Sequence, residues 1–228
     1  MNKEHEKSIE LAQQENRKNG DRGKVSVAKK PHYRSKGIKT HPRREGYKNI
    51  DVTSGGPAKF KGLSPMLLGP VDSTPQAQNM ENLWQFSKVF KGDVDADGQP
   101  TPAFFDRRNR GFADRVAHRR VKSNEFYLFH YWQGRKLNYT EAREEIYVKN
   151  YSELVRESQV YKDLLALLDE GMNLQIIGYD GRDYDATLNQ DGKQLNEWLR
   201  DLNKPFGHEL VLAGLLAETK GFLINEEK

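Results

Sequence analysis

The residues best placed to do chemistry lie in the stretch 80–90, MENLWQFSKVF. Glu81, Trp84, Gln85 and Lys88 stand at i, i+3, i+4 and i+7, so on a helix they share one face. An amphipathic helix usually keeps its charges away from its large aromatic. A stripe of carboxylate, indole, amide and ammonium therefore reads as the wall of a polar pocket, because burying Glu81 or Lys88 is costly unless each is paired. Such charged groups stabilise charge that develops at a reacting bond. The competing reading is a boundary stripe over which the stem of Lys88 snorkels.

Other residues could join that wall. Residues 104–122 carry Arg107, Arg108, Arg110, Arg115, Arg119, Arg120 and Lys122, guanidiniums among them suiting bidentate contact with phosphate. Most of these are expected to be solvated, with Arg119 and Arg120 the pair chosen to reach a pocket. The turn YDGRDYD places Asp180 and Asp183 near each other, although Asp180-Gly181 is also an ordinary turn dipeptide. His208 follows Phe206-Gly207 at the start of an apolar helix and is a candidate for pocket lining. His130 lies among aromatics and reads as a core residue. No H-x-x-x-H or H-E-x-x-H pair occurs, and no cysteine is present, so neither a metal site nor a thiol nucleophile is expected.

The elements that must position these residues follow from periodicity. The pattern predicts a helix over 78–91 stopped by Gly92, one or two short helices over 104–122, and a capped helix over 141–147. Leu154, Val155, Val160, Tyr161, Leu164, Leu165 and Leu168 predict a helix over 151–170 ended by Gly171. Residues 173–178 have β character, and helices are expected over 195–202 and 206–220. The aromatic run at 124–133 fits a strand or a buried helix. The loop 63–71, LSPMLLGPV, is too rich in Pro and Gly for a regular helix. The fold class is helix-rich α+β, a single domain of 62–228 with a small sheet.

With these elements in place, the chain resembles the NADAR domain, a family of N-glycosidases that hydrolyse N-ribosyl bonds. Leu63-Ser64-Pro65 through Gly69-Pro70-Val71 resembles the family's entry loop, and Glu81, Gln85 and Lys88 match its helix spacing. Residues 174–177, the turn with Asp180 and Asp183, and Phe206-Gly207-His208 resemble its C-terminal elements. The resemblance covers about 63–216. Asn82 stands where a His is usual, Pro65 where an Asn is usual and Val89 where an aromatic is common; the Trp-Gly after the aspartate is absent. What the resemblance implies is a cofactor-free hydrolase acting on a nucleotide-like metabolite or an ADP-ribosylated base. Glu81 would stabilise oxocarbenium-like charge, Lys88 would tune it, and Asp183 or Asp180 would be the second acid. Trp84, Gln85, Arg119, Arg120 and His208 would bind substrate.

Composition bounds the alternatives. The chain has 228 residues, 37 Lys and Arg against 33 Asp and Glu, and a start that is charged throughout, so a cytoplasmic protein without membrane association is expected. Residues 1–50 hold 14 basic and 6 acidic residues. With few apolar side chains, residues 1–61 read as a flexible, disordered basic arm, with a short helix over 3–17 supported by Ile9, Leu11 and Ala12, that could bind phosphate backbones. The rival function is accordingly a non-catalytic protein using residues 1–50 to contact nucleic acid or an assembly. Asp93-Val94-Asp95-Ala96-Asp97-Gly98 copies half of a calcium loop, but the position that should supply a bidentate Glu is Phe104.

Overall fold

The computed structural model describes residues 3–31, 42–122 and 124–222. In chain order its elements are α1 (Lys3–Asn19), β1 (Val25–Lys29), β2 (Lys48–Asp51), a 3-10 segment (Ala58–Leu63), α2 (Met80–Phe86), β3 (Lys88–Phe90), a 3-10 turn (Lys91–Asp93) and α3 (Pro102–Ala113). There follow β4 (Tyr127–Trp132), β5 (Arg135–Leu137), α4 (Tyr139–Ala142), a π-helical turn (Arg143–Val148), α5 (Lys149–Glu157), α6 (Gln159–Asp169), β6 (Leu174–Gly178), β7 (Tyr184–Asp185), α7 (Lys193–Arg200) and α8 (His208–Leu216). The fold is helix-rich α+β, and the described residues form two small sheets where one was expected. The chain divides into two compact units, Met1–Ser64 with Val155–Lys228, and Pro65–Leu154.

The first unit is built on the sheet β2-β6-β1-β7. Strand β6 is buried along its whole length, with β2 and β1 parallel to it and β7 antiparallel to β1. Val25, Val27, Ile50, Leu174 and Ile176 project from one face and are buried. Helix α8 packs on that face and is apolar nearly all round, as a helix enclosed on every side must be. At Gly178 on the same face, any Cβ would collide with the Glu209 carboxyl group of α8.

This sheet corrects the arm expected over 1–61. Residues Val25–Lys29 pair with β6 on one side and β7 on the other, so they are an interior strand. Helix α1 is tied down by Asn16, whose Nδ2 donates to Gly171 O at 2.8 Å and Asn173 Oδ1 at 2.9 Å. A boundary does fall close to 61/62, at 64/65, but it separates two compact units and not an arm from a domain, because 3–31 and 42–64 belong to one unit with 155–222. Of the segment expected to be an arm, residues 32–41 lie outside the described residues. The single helix expected over 151–170 is broken at Ser158, which has extended backbone and caps α6 by accepting from Tyr161 N at 3.2 Å.

The second unit pairs β3, β4 and β5 into an antiparallel sheet and packs α2 against α3. Met80, Leu83, Phe86, Phe104 and Phe112 are buried. Gly111 on α3 lies against the face of Phe86, so a Cβ there would overlap the ring. Gly111→Ala is expected to destabilise by about 1–3 kcal/mol through overpacking, read from the denaturation midpoint. An unchanged midpoint would mean that Phe86 moves aside without cost.

Candidate functional site

Helix α2 begins at Asn79, whose side chain accepts from Asn82 N at 2.8 Å, a standard N-terminal cap. It ends sooner than its periodicity predicts. Ser87 Oγ donates back to Leu83 O at 2.6 Å, and the next residues, Lys-Val-Phe, leave the helix to pair with β4. Glu81, Trp84 and Gln85 are thus helical, whereas Lys88 is the first residue of β3. The chemical stripe survives the change of element because Gln85 bridges it. Gln85 Nε2 donates to Glu81 Oε1 at 2.8 Å, and Gln85 Oε1 accepts from Lys88 Nζ at 2.9 Å.

The same helix fixes the segment that carries the cations. Asn82, fully buried, donates through Nδ2 to Asp114 O and Val116 O, both at 2.9 Å, and its Oδ1 accepts from His118 N at 2.9 Å. Gln85 Nε2 donates also to Arg119 O at 2.8 Å. A buried amide with three such bonds is a firm tether. Residue 82 thus acts on the backbone leading to Arg119 and Arg120.

These groups meet at a cavity of about 390 Å³ lined by Gln85, Lys88, Arg119, Arg120, Lys122, Tyr127 and Tyr139, among others. Glu81 is not among the lining residues; it is linked to the cavity by the bond it accepts from Gln85. Trp84 is not among the lining residues. It is 8% exposed, tilted against His130 at 4.3 Å between ring centroids, and edge-on to Tyr139 and Tyr147. The Lys88 ammonium stands 5.3 Å from its ring centroid, a cation–π contact. Tyr127 and Tyr139 had no assigned role in the sequence; the aromatic run 124–133 was their only signal. That run is strand β4. His130 is wholly buried, with Nδ1 at 2.8 Å from Tyr127 OH and Nε2 without a partner. Burial, helped by the Lys88 charge, holds its pKa well below the ordinary value, so it is neutral.

Burial lowers the Lys88 pKa from an ordinary 10.5 to about 8, against a partial opposing pull from Glu81. Two results follow. Anion binding at this cavity is expected to weaken as pH rises through about 8, measurable by titrating a phosphate-bearing ligand across that range. A depressed lysine pKa also costs stability below it, and this cost fades as pH rises from about 8 towards 10.5, because there the unfolded chain binds more protons than the folded one. Lys88→Met accordingly should weaken phosphate affinity about tenfold or more with no loss of stability. A fall of more than about 1 kcal/mol would show the charge to be structurally required.

Of the remaining cations, Arg107 Nη2 donates to Asp93 Oδ2 at 2.7 Å and Lys88 O at 3.0 Å, and Arg108 lies 5.0 Å from the Phe105 ring centroid. Asp93 is buried. Its oxygens accept from Arg107, from Lys122 Nζ at 2.8 Å and from Phe90 N at 3.0 Å. The leading carboxylate of the calcium-like loop is therefore engaged by two cations. Among the described residues no group of three or more His, Asp or Glu side chains is arranged to hold a metal ion.

Asp180, Asp183 and His208 belong to the first unit. Asp180 N donates to Glu209 Oε1 at 2.6 Å. Asp183 is exposed and lines a cavity with Lys29, Arg43 and Arg44. His208 opens α8, with Nε2 at 3.0 Å from Val52 O and Nδ1 at 3.3 Å from the Glu209 carboxylate. Glu209 is fully buried, and burial raises its pKa. No helix among the described residues is long and apolar enough to cross a membrane. No protein-family model, curated protein or solved structure matches the chain.

Proposed function

We propose that the chain hydrolyses the N-ribosyl bond of a nucleotide-like metabolite or an ADP-ribosylated base, using the cavity of the second unit. The observation that carries this reading is the hydrogen-bonded series Glu81–Gln85–Lys88 ending in a cavity shared with Arg119 and Arg120. At about 390 Å³ the cavity is within the range of small-ligand sites. Its cations suit a phosphate and its two tyrosines suit a sugar or base. In the proposed reaction the C1′–N bond breaks with its electron pair leaving on the base. Water adds at C1′, and the Glu81 carboxylate, turned from Gln85 into the cavity, stabilises the positive charge there, takes the water's proton and passes it to the departing base, which restores the carboxylate, by analogy with O-glycoside cleavage.

The likeness of the 63–71 loop and of the Glu81, Gln85, Lys88 spacing to NADAR N-glycosidases supports the same reading. Of the four residues expected to be catalytic, Glu81 and Lys88 lie in this unit, and Asp180 and Asp183 belong to the other. The test is incubation of the intact chain with ribosylated pyrimidine and purine phosphates and with ADP-ribosylated guanine, as nucleotide and in DNA. Mass spectrometry of released sugar phosphate or ADP-ribose is expected to find turnover of at least one. A folded protein that releases none refutes the reading.

A further inference from the structure

The second face of the four-stranded sheet is polar. Asn49 of β2, Gln175 of β6, Ser26 of β1 and Asp185 of β7 are register partners, so they form one row across all four strands and project from the same face. Strands inside a mainly parallel sheet are normally apolar on both faces. Here Ser26 Oγ, Gln175 Oε1 and Asn49 Oδ1 are all buried without a hydrogen-bond partner. Ser26 is 0% and Gln175 4% exposed. Asn49 is held in place by donating through Nδ2 to Pro42 O at 2.9 Å. Three neighbouring unsatisfied oxygens are too many to be incidental, since buried polar groups in native proteins are nearly always paired.

Gln175 lines a cavity of about 530 Å³ together with Ala28, which shares the polar face, and with Lys29, Arg43, Arg44 and Asp183. Arg44 is engaged by Asp185 at 2.8 Å and lies 4.6 Å from the Tyr47 ring centroid. That leaves Lys29 and Arg43, both exposed, at the rim with Asp183. Of the three orphaned oxygens, that of Gln175 belongs to a residue lining the cavity, so the floor presents an acceptor that calls for a donor, and the rim supplies cations. A hydroxyl group satisfies that acceptor, because it can donate to an amide oxygen. A phosphate satisfies the rim.

We propose that this cavity binds a sugar phosphate, with its hydroxyls on Gln175 and Asp183 and its phosphate on Lys29 and Arg43. The site lies wholly within the first unit and does not depend on the N-ribosyl hydrolase reading.

Calorimetric titration of the intact chain with ribose 5-phosphate, ribose and inorganic phosphate tests the proposal. Ribose 5-phosphate is expected to bind about tenfold or more tightly than either half alone, because both sets of contacts are then made. Arg43→Glu, at an exposed position, should weaken that binding at least about tenfold. Gln175→Leu, after a folding check, should remove the advantage over inorganic phosphate. Equal affinity for ribose 5-phosphate and phosphate overturns the proposal, as does binding unchanged by Arg43→Glu or no binding of any probe.

Discussion

Asp51→Ala is expected to destabilise the protein by about 3–5 kcal/mol, the cost of leaving one partner of a buried ion pair behind. Lys30 and Asp51 are each 5% exposed, and Lys30 Nζ lies 2.6 Å from Asp51 Oδ2. The carboxylate also organises the chain beyond β2. Its Oδ1 accepts from Thr53 N at 3.1 Å and from Thr53 Oγ1 at 2.7 Å, while Thr53 Oγ1 lies 2.8 Å from the Lys30 ammonium. Without Asp51 that ammonium would keep, among the described residues, the Thr53 hydroxyl as its polar partner. Chemical denaturation measures the effect, and the double variant Lys30→Met with Asp51→Leu should recover most of the loss. A single-variant loss below about 1 kcal/mol would place the pair with solvent-exposed bridges.

Much of the helical framework was legible because long amphipathic stretches repeat their pattern; α6 and α8 lie within ranges their periodicity marks, and α3 begins two residues before its own. The misplaced parts share a physical cause. Strand β1 is only VSVAK, in a region whose average composition is basic, and average charge says nothing about five residues paired on both sides. A local signal existed in the alternation of Val25 and Val27, repeated by Ile50 and Val52 after Tyr47. Helix α2 is shorter than its periodicity predicts because Ser87 and the residues after it continue the apolar period, and only pairing with Tyr127, Phe129 and His130 turns 88–90 into a strand. Ser158 broke a helix that periodicity alone carried through, although serine is a strong N-cap residue.

The candidate site was partly visible. Residue types at 81, 85 and 88 marked the polar wall, and the cluster of arginines marked the cation supply. What no spacing rule reveals is that Asn82 ties down the backbone at 114, 116 and 118, thereby fixing the approach to Arg119 and Arg120. Contacts across more than thirty residues depend on tertiary structure and leave no local period. For the same reason Tyr127 and Tyr139, from β4 and α4, entered the site only through the fold.

Glu81→Gln is the substitution with the largest expected effect on turnover. It keeps the shape of the side chain and a hydrogen-bonding oxygen for Gln85, yet removes the charge that would stabilise C1′ and the base that would take the water's proton. Loss of a positioned general base typically lowers rate by about 10²–10⁴-fold. Binding of the phosphate end should change little, since Lys88, Arg119 and Arg120 remain. The measurement is therefore a side-by-side comparison of intact chain and Glu81→Gln on the substrate most readily cleaved, following released sugar phosphate or ADP-ribose by mass spectrometry and affinity by titration. The account predicts release by the intact chain, a loss of at least about a hundredfold in the variant, and similar affinity in both. Equal turnover by the two proteins would contradict it.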